Sequence, residues 1–287
     1  MQLAAINIYP VKGARGIPLA SAALEPRGLA GDRRWMLVDP NGRFISQREF
    51  PRLALLGVAQ TETGLRLSMG GEAVDVAMPG PGAPAIAATV WGSAVPLREA
   101  AEAAEWLSAR LGSAVRLGHQ PEEAHRAADP AWAEGAEVSL ADAFPLLVAS
   151  PSSLAALEEE AGMAFGMNRF RPNLVIEGAP AWAEDGWARL RVGPVELALV
   201  KPCTRCTVTT VDQARGEVAG DEPLATLRRI RMSDDRRLAG VLFGWNAIPH
   251  GLGTLRVGDP VEILETRAGW PLRTRPAPGA AAAAGRA

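Results

Sequence analysis

Cysteine is almost missing from this chain. Two stand among 287 residues, Cys203 and Cys206, three positions apart. Such a pair cannot form a disulfide framework, and it is too small to close a structural zinc site, which takes four ligands. Thiols this scarce fit a reducing compartment, where they stay free. Histidine is as rare: His119, His125 and His250 show no metal-ligand spacing. A charge excess is also missing. The net charge of −2 leaves no broadly basic surface, which argues against bulk nucleic-acid binding. No apolar run reaches the length of a membrane span. The opening residues, Met1-Gln-Leu-Ala-Ala-Ile-Asn-Ile-Tyr-Pro10, lack the basic and apolar regions of a targeting segment and read as a first strand. The expectation is a cytoplasmic protein without a membrane partner. No GxGxxG or P-loop motif signals a nicotinamide or ATP site; pyridoxal phosphate is not excluded.

What is present is a composition that can fold. Hydrophobic residues make up 48% of the chain, and 287 residues suffice for one large domain or two of ordinary size. The first hundred residues read as short strands between turn residues, at 3–8, 34–38, 43–46, 53–59, 65–68 and 73–76, which suggests a small barrel or sandwich. Asp39-Pro-Asn-Gly42 marks a turn and residues 79–84 a loop. Residues 90–97 are hairpin-like. Residues 99–111 suit a helix stopped at Gly112. The polar stretch 119–134 suggests a boundary near residue 120. Beyond it, Ser150, Ser152 and Ser153 can cap a helix over about 154–161. A strand follows at 174–176, then a hairpin of 190–192 and 195–200 about Gly193-Pro194. The β-branched run 207–211 reads as a strand, residues 223–232 as a helix, and 241–245, 255–257 and 261–264 as closing strands. The fold class is mostly β with some α (α+β), divided at 1–120 and 121–267. The Pro-, Arg- and Ala-rich tail 268–287 is expected to be disordered.

The segment Lys201-Pro-Cys-Thr-Arg-Cys-Thr-Val-Thr-Thr-Val-Asp212 admits three readings. The thiols can be small core residues. They can be a dithiol redox pair, but that signature opens a helix, and the β-branched residues after Cys206 resist one. Or one thiolate can serve a soft or high-valent metal, with Arg205 nearby favouring the ionised form.

The neighbouring residues carry a resemblance. Cys203-Thr-Arg-Cys206-x-x-Thr-Thr-Val-Asp212, closed by Gly216, resembles the signature loop of the MOSC domain, named for the C-terminal domain of molybdenum cofactor sulfurase. Ile8-Tyr-Pro-Val-Lys-Gly13 and Gly31-Asp-Arg-Arg-Trp35 resemble the N-terminal MOSC β-barrel domain of the amidoxime-reducing proteins. Arg169-Phe-Arg-Pro-Asn-Leu-Val-Ile176, Ala183-Glu-Asp-Gly-Trp187 and Val257-Gly-Asp-Pro-Val261 follow in the same order. The resemblance implies two packed β-barrel-like domains holding a molybdenum cofactor (molybdopterin). It implies a reductase of amidoximes, hydroxylamines and N-hydroxylated bases.

On the same resemblance Cys206 is the molybdenum ligand and catalytic centre, with Cys203 a neighbour; spacing alone leaves the reverse assignment open. A phosphate-bearing pterin needs cations and free backbone N–H groups. The candidates are Lys12 before Gly13, Arg33, Arg171 with Asn173, and Thr204 and Arg205 inside the loop. Pro172 biases Arg171 toward an extended backbone. Arg34 reads as a surface charge and Arg169 is unassigned. Thr209, Thr210 and Asp212 are expected to lock the loop by hydrogen bonding. The electron donor is expected to be a separate ferredoxin, flavoprotein or haem protein. The alternative is a non-catalytic carrier of the cofactor or of persulfide sulfur.

Overall fold

The computed structural model describes residues 1–273. Its largest sheet has eight strands, in the order Ile17–Leu19, Gln2–Ile8, Leu174–Glu177, Leu146–Ala149, Leu242–His250, Val195–Thr204, Trp187–Val192 and Val261–Thr266. All neighbours are antiparallel except Leu146–Ala149 and Leu174–Glu177, which are parallel. The helix Pro151–Ala161 lies in their crossover. The sheet curls until Gln2 bridges Pro260, and the Leu3 N–H donates to the Asp259 carbonyl at 2.9 Å. Leu3, Ile6, Leu174, Leu197 and Trp245 fill the interior of this curl. A register shift between Leu3 and Ala5 resets the alternation, so that Leu3, Ile6 and Ile8 all point inward.

A second core lies beside it. The sheet Trp35–Val38, Arg116–His119, Ser93–Glu99 and Ala85–Val90, a three-stranded meander over residues 57–77 and the helix Ala104–Leu111 surround Leu37, Leu53, Leu67 and Leu107. Gly112 ends that helix in a left-handed conformation, as its sequence suggests. Residue 120 divides the chain but not the sheets. Gln2–Ile8 pairs with Leu174–Glu177, and Ser21–Glu25 pairs with Gly253–Arg256. Residues 120–145 cross between the cores without a named strand and pack a small cluster of their own around Ala133, Val138 and Phe144. Among the described residues no helix is long and apolar enough to cross a membrane.

Four expectations fail locally. Residues 43–46 make only isolated bridges and not a strand. Residues 53–59 begin as the 3-10 helix Pro51–Leu55 and become a strand only at Gly57–Gln60. Pro51 starts the turn, and burying Leu53 with Leu56 needs a spacing of three, not two. Residues 207–211 open as the 3-10 helix Thr207–Thr210. The hydroxyls of Thr209 and Thr210 donate to the carbonyls three residues back, at 2.9 and 2.8 Å, and this overrides the β preference of the run. The tail is ordered through residue 273: Trp270 donates to Ser233 Oγ at 3.0 Å and Leu272 bridges Ser233. Composition hides the anchoring effect of one large aromatic. Residues 274–287 of the expected tail lie outside the described residues.

Candidate functional site

A cavity of about 460 Å³ lies between the two cores. Its lining includes all seven residues singled out from sequence: Lys12, Arg33, Arg171, Asn173, Thr204, Arg205 and Cys206.

The strand Val195–Thr204 delivers the cysteine segment. It buries Val195, Leu197 and Leu199, then reverses phase to bury Pro202 through register shifts against Leu242–His250. Lys201, Cys203 and Thr204 thereby reach the cavity. The Arg205 N–H donates to the Val241 carbonyl at 2.9 Å. Cys206 is exposed, while Cys203 is half-buried. Arg205 spends its guanidinium inward: Nη1 donates to Cys203 Sγ at 2.9 Å and Nη2 to the Phe170 carbonyl. Its stabilising contact is therefore with Cys203 and not with the expected ligand. The loop is locked as anticipated. Besides the two threonine bonds, the Asp212 carboxylate accepts the N–H groups of Ala214 and Arg215 at 2.9 and 3.0 Å, and Gly216 closes the turn at φ +65°.

Lys12 is buried, with Nζ donating to the Leu140 carbonyl at 2.9 Å and to Asp142. Burial pulls the Lys12 ammonium below its ordinary range, and Asp142 opposes that shift. The Asp142 side chain is 58% accessible and lines the cavity. Burial pushes its carboxyl up, and the Lys12 ammonium and the Trp91 indole more than reverse this, so it stays ionised. Arg126 fixes this stretch by donating to the carbonyls of Ser139, Ala141 and Asp142.

Arg33 and Arg171 both sit in the left-handed region, at φ +48° and +57°. The expectation of an extended Arg171 is thus corrected. The Pro172 ring disfavours the right-handed helical region, and the contacts around Arg171 select the left-handed one over the extended one. Its carbonyl accepts Arg33 Nη2 at 3.2 Å, and its Nη1 donates to the Ala14 carbonyl at 2.7 Å. Both guanidiniums lie 4.2 Å from the centroid of the buried Tyr9 ring. Burial first, and Arg33 as a like charge, draw the Arg171 pKa down to about 10. Arg34 is not a surface charge: it is buried and paired with Glu25. Because Arg33 occupies a turn, strand alternation does not separate the two side chains.

Asn173 is a clamp. Its Oδ1 accepts Arg33 Nη1 at 3.0 Å and the Leu147 N–H at 3.1 Å, and its Nδ2 donates to the Asn7 carbonyl at 3.1 Å. Every polar atom of the amide is used within the protein. The serines before the helix Pro151–Ala161 do not cap it as expected. Ser150 Oγ is buried without a partner among the described residues, Ser152 donates to the Ala179 carbonyl, and Ser153 donates to Glu184.

The structure adds residues that the sequence did not single out. Arg48, Arg169 and Lys201 line the cavity, so seven lining residues are cationic against one carboxylate, Asp142. Arg169 also reaches the loop, 4.0 Å from Asp212. Lys201 carries a legible signal, since it lies two residues before Cys203 on the same strand face. Arg48, Phe44 and Trp91 carry none beyond an aromatic beside a turn glycine.

The lining suits a bound anion. Arg171 Nη2 and Arg205 Nε are buried without partners among the described residues, and an unpaired buried donor is costly. Among the described residues no three His, Cys, Asp or Glu converge to hold an ion. Of the two sulfurs lining the cavity Cys206 is the exposed one; one thiolate suits a metal that brings most of its own ligands.

The MOSC N-terminal beta barrel domain matches residues 1–114 and the MOSC domain matches residues 135–262. Mitochondrial amidoxime-reducing component 1 of Homo sapiens is 35% identical over 280 residues, covering 91% of this chain and 82% of the relative. Mitochondrial amidoxime reducing component 2 of Homo sapiens is 31% identical, covering 90% and 82%. Component 1 of Xenopus laevis is 31% identical, covering 88% and 79%. With both domain matches in sequence and relatives aligned along most of their length, the chain belongs to the MOSC family, in the two-domain form shared with the amidoxime-reducing components.

Proposed function

We propose that this protein is an oxidoreductase that cleaves the N–O bond of N-hydroxylated compounds (amidoximes, hydroxylamines and N-hydroxylated bases) with a molybdenum cofactor held in the cavity. The observation that supports this most is the meeting of Cys206 with Lys12, Arg33 and Arg171 around one electropositive space. The names of the relatives, amidoxime-reducing components, point the same way.

In this reading Cys206 supplies the protein's sulfur to the metal. The unpaired edge of Arg171, the Arg33 guanidinium and the Lys12 region hold the phosphate and the polar rim of the pterin. When bound, the cofactor supplies the two electrons that reduce the substrate. The protein's own residues prepare the site. Asn173 fixes Arg33, and Arg205 ties the cysteine loop to Phe170, so the cations are preorganised. The Lys12 ammonium favours the ionised form of Asp142, and the pair orient one another at the cavity wall. Electrons arrive from a separate donor protein, a ferredoxin, flavoprotein or haem protein.

A second reading rests on Arg205 lying 2.9 Å from Cys203. That contact turns Arg205 away from the exposed Cys206, whose free sulfur fits a carrier that passes on the cofactor or persulfide sulfur. Metal and pterin analysis of protein made in a cofactor-producing host, followed by benzamidoxime turnover with an artificial donor, separates the two. Molybdenum with turnover supports the reductase. Molybdenum without turnover, or cyanide-releasable sulfur without metal, sinks it in favour of the carrier.

A further inference from the structure

Trp91 stands apart from the other large aromatics. It is 56% exposed, whereas Trp35, Trp187 and Trp245 are at most 2% exposed. It occupies the turn between Ala85–Val90 and Ser93–Glu99 at φ +49°, a left-handed conformation that disfavours a bulky side chain. An open turn usually places glycine or asparagine there. Here glycine is the next residue, Gly92, and the chain instead holds an indole in a strained position at the cavity rim.

The ring is fixed. Phe44 meets it edge-on at 5.4 Å and 62°, and the Arg48 guanidinium lies 4.7 Å from its centroid. The hairpin itself is tied to the turn that carries Phe44. The Thr89 N–H donates to the Gly42 carbonyl at 3.3 Å, and a Cβ on Gly42 would lie 2.2 Å from the Ala87 carbonyl oxygen. Phe44, Arg48 and Trp91 line the same cavity as Cys206. More than half of Trp91 remains accessible, so a flat, braced ring stands in a lining that mixes seven cations with apolar groups such as Phe144, Leu147 and Phe170. Such a surface favours a planar ring over a small or aliphatic group.

We infer that Trp91, braced by Phe44, is the platform on which the ring of an aromatic or heteroaromatic N-hydroxylated substrate stacks, making it a specificity-determining residue. The inference rests on the reductase reading for the identity of the reacting group, but not for the ring contact.

The test uses loaded full-length protein and the variants Trp91→Ala and Trp91→Phe. The ratio of kcat/KM for benzamidoxime to that for hydroxylamine should fall about tenfold in Trp91→Ala and about threefold or less in Trp91→Phe, the range of a lost ring contact. Binding of benzamidine, which has the ring but no N–O bond, is measured by calorimetry in parallel. It should weaken by a similar factor in Trp91→Ala. An unchanged ratio together with unchanged benzamidine affinity overturns the inference. So does loss of pterin or molybdenum from Trp91→Ala, which would assign the indole to the cofactor. If wild-type protein reduces neither compound, the reductase reading fails, and benzamidine affinity alone then decides the role of Trp91.

Discussion

The two walls of the cavity are held in different ways. On the cysteine wall, side chains are tied to backbone: Arg205 to Phe170, Asn173 to Asn7 and Leu147, Thr209 to Cys206, and Asp212 to the turn it closes. On the rim wall, Phe44, Arg48 and Trp91 hold one another by ring and cation contacts with a large accessible face. Backbone anchoring suits a group that stays. Ring contacts that re-form after each exchange suit a group that comes and goes.

The sharpest way to break this comparison is at the thiols. Cys206→Ala should lower benzamidoxime turnover by about a thousandfold or more, and Cys203→Ala by about tenfold or less, because in the proposed reading only the former removes the metal's protein sulfur. Equal losses would instead mark a dithiol mechanism. Next, Asn173→Leu takes a partner from the Leu147 N–H and the Asn7 carbonyl, and leaves Arg33 only Asp32 and the Arg171 carbonyl. It should cost about 3 kcal/mol in urea unfolding, the range for several buried polar groups left unpaired.

Acid should loosen the rim wall first. His119 is buried against Trp35, at 4.7 Å between ring centroids, and pairs with Arg98 on the hairpin that carries Trp91. Burial, opposed in part by Glu122 and aided by Arg34, Arg98 and Arg27, holds its pKa down to about 4. Between its unfolded value of about 6.5 and this value the unfolded chain binds the extra proton, so stability falls as pH falls through that window. The loss should approach about 3 kcal/mol by pH 4, the free energy of a shift of this size, and His119→Phe should flatten it. Hydrogen exchange at pH 5 should reach residues 85–99 before residues 195–204; the opposite order would undo the contrast. The smallest effect is expected at Ser150, whose buried hydroxyl lacks a partner among the described residues. Ser150→Ala should change the unfolding midpoint by less than about 0.5 kcal/mol, since no hydrogen bond is lost.

The bonding of the cysteine loop was legible in the sequence because contiguous residues build it, although its residues 207–210 turn as a 3-10 helix and not as the expected strand. Cys203 to Gly216 form a loop whose threonines and aspartate bond within a few positions of themselves, so order along the chain is order in space. Arg33, Arg171 and Asn173 were found only through resemblance to known motifs, since 138 to 140 residues separate the atoms that meet. Their backbone was misread for the same reason. The local rule for a residue before proline does not know that Ala14 and Arg33 will capture Arg171. The rim wall was illegible. Phe44 lies in a stretch that reads as a strand, and nothing local announces that Gly42 will pack on Ala87 and carry the ring to Trp91. Strand positions with simple alternation, such as 65–68 and 195–200, read correctly because burial on one face was their only determinant.

Residues 2–8 find their partner at 174–177, and residues 21–25 find theirs at 253–256. During synthesis the first strand therefore waits, unpaired on this edge, until well over half the chain has left the ribosome, and the strand 21–25 waits until most of it has. The Asn173 clamp shares the first delay: it joins Asn7 to Arg33 only once residue 173 has emerged. Whatever occupies the hollow meets its full lining only after residue 246 has joined it, and a fragment ending at residue 120 would display two orphaned β edges and part of the cavity wall.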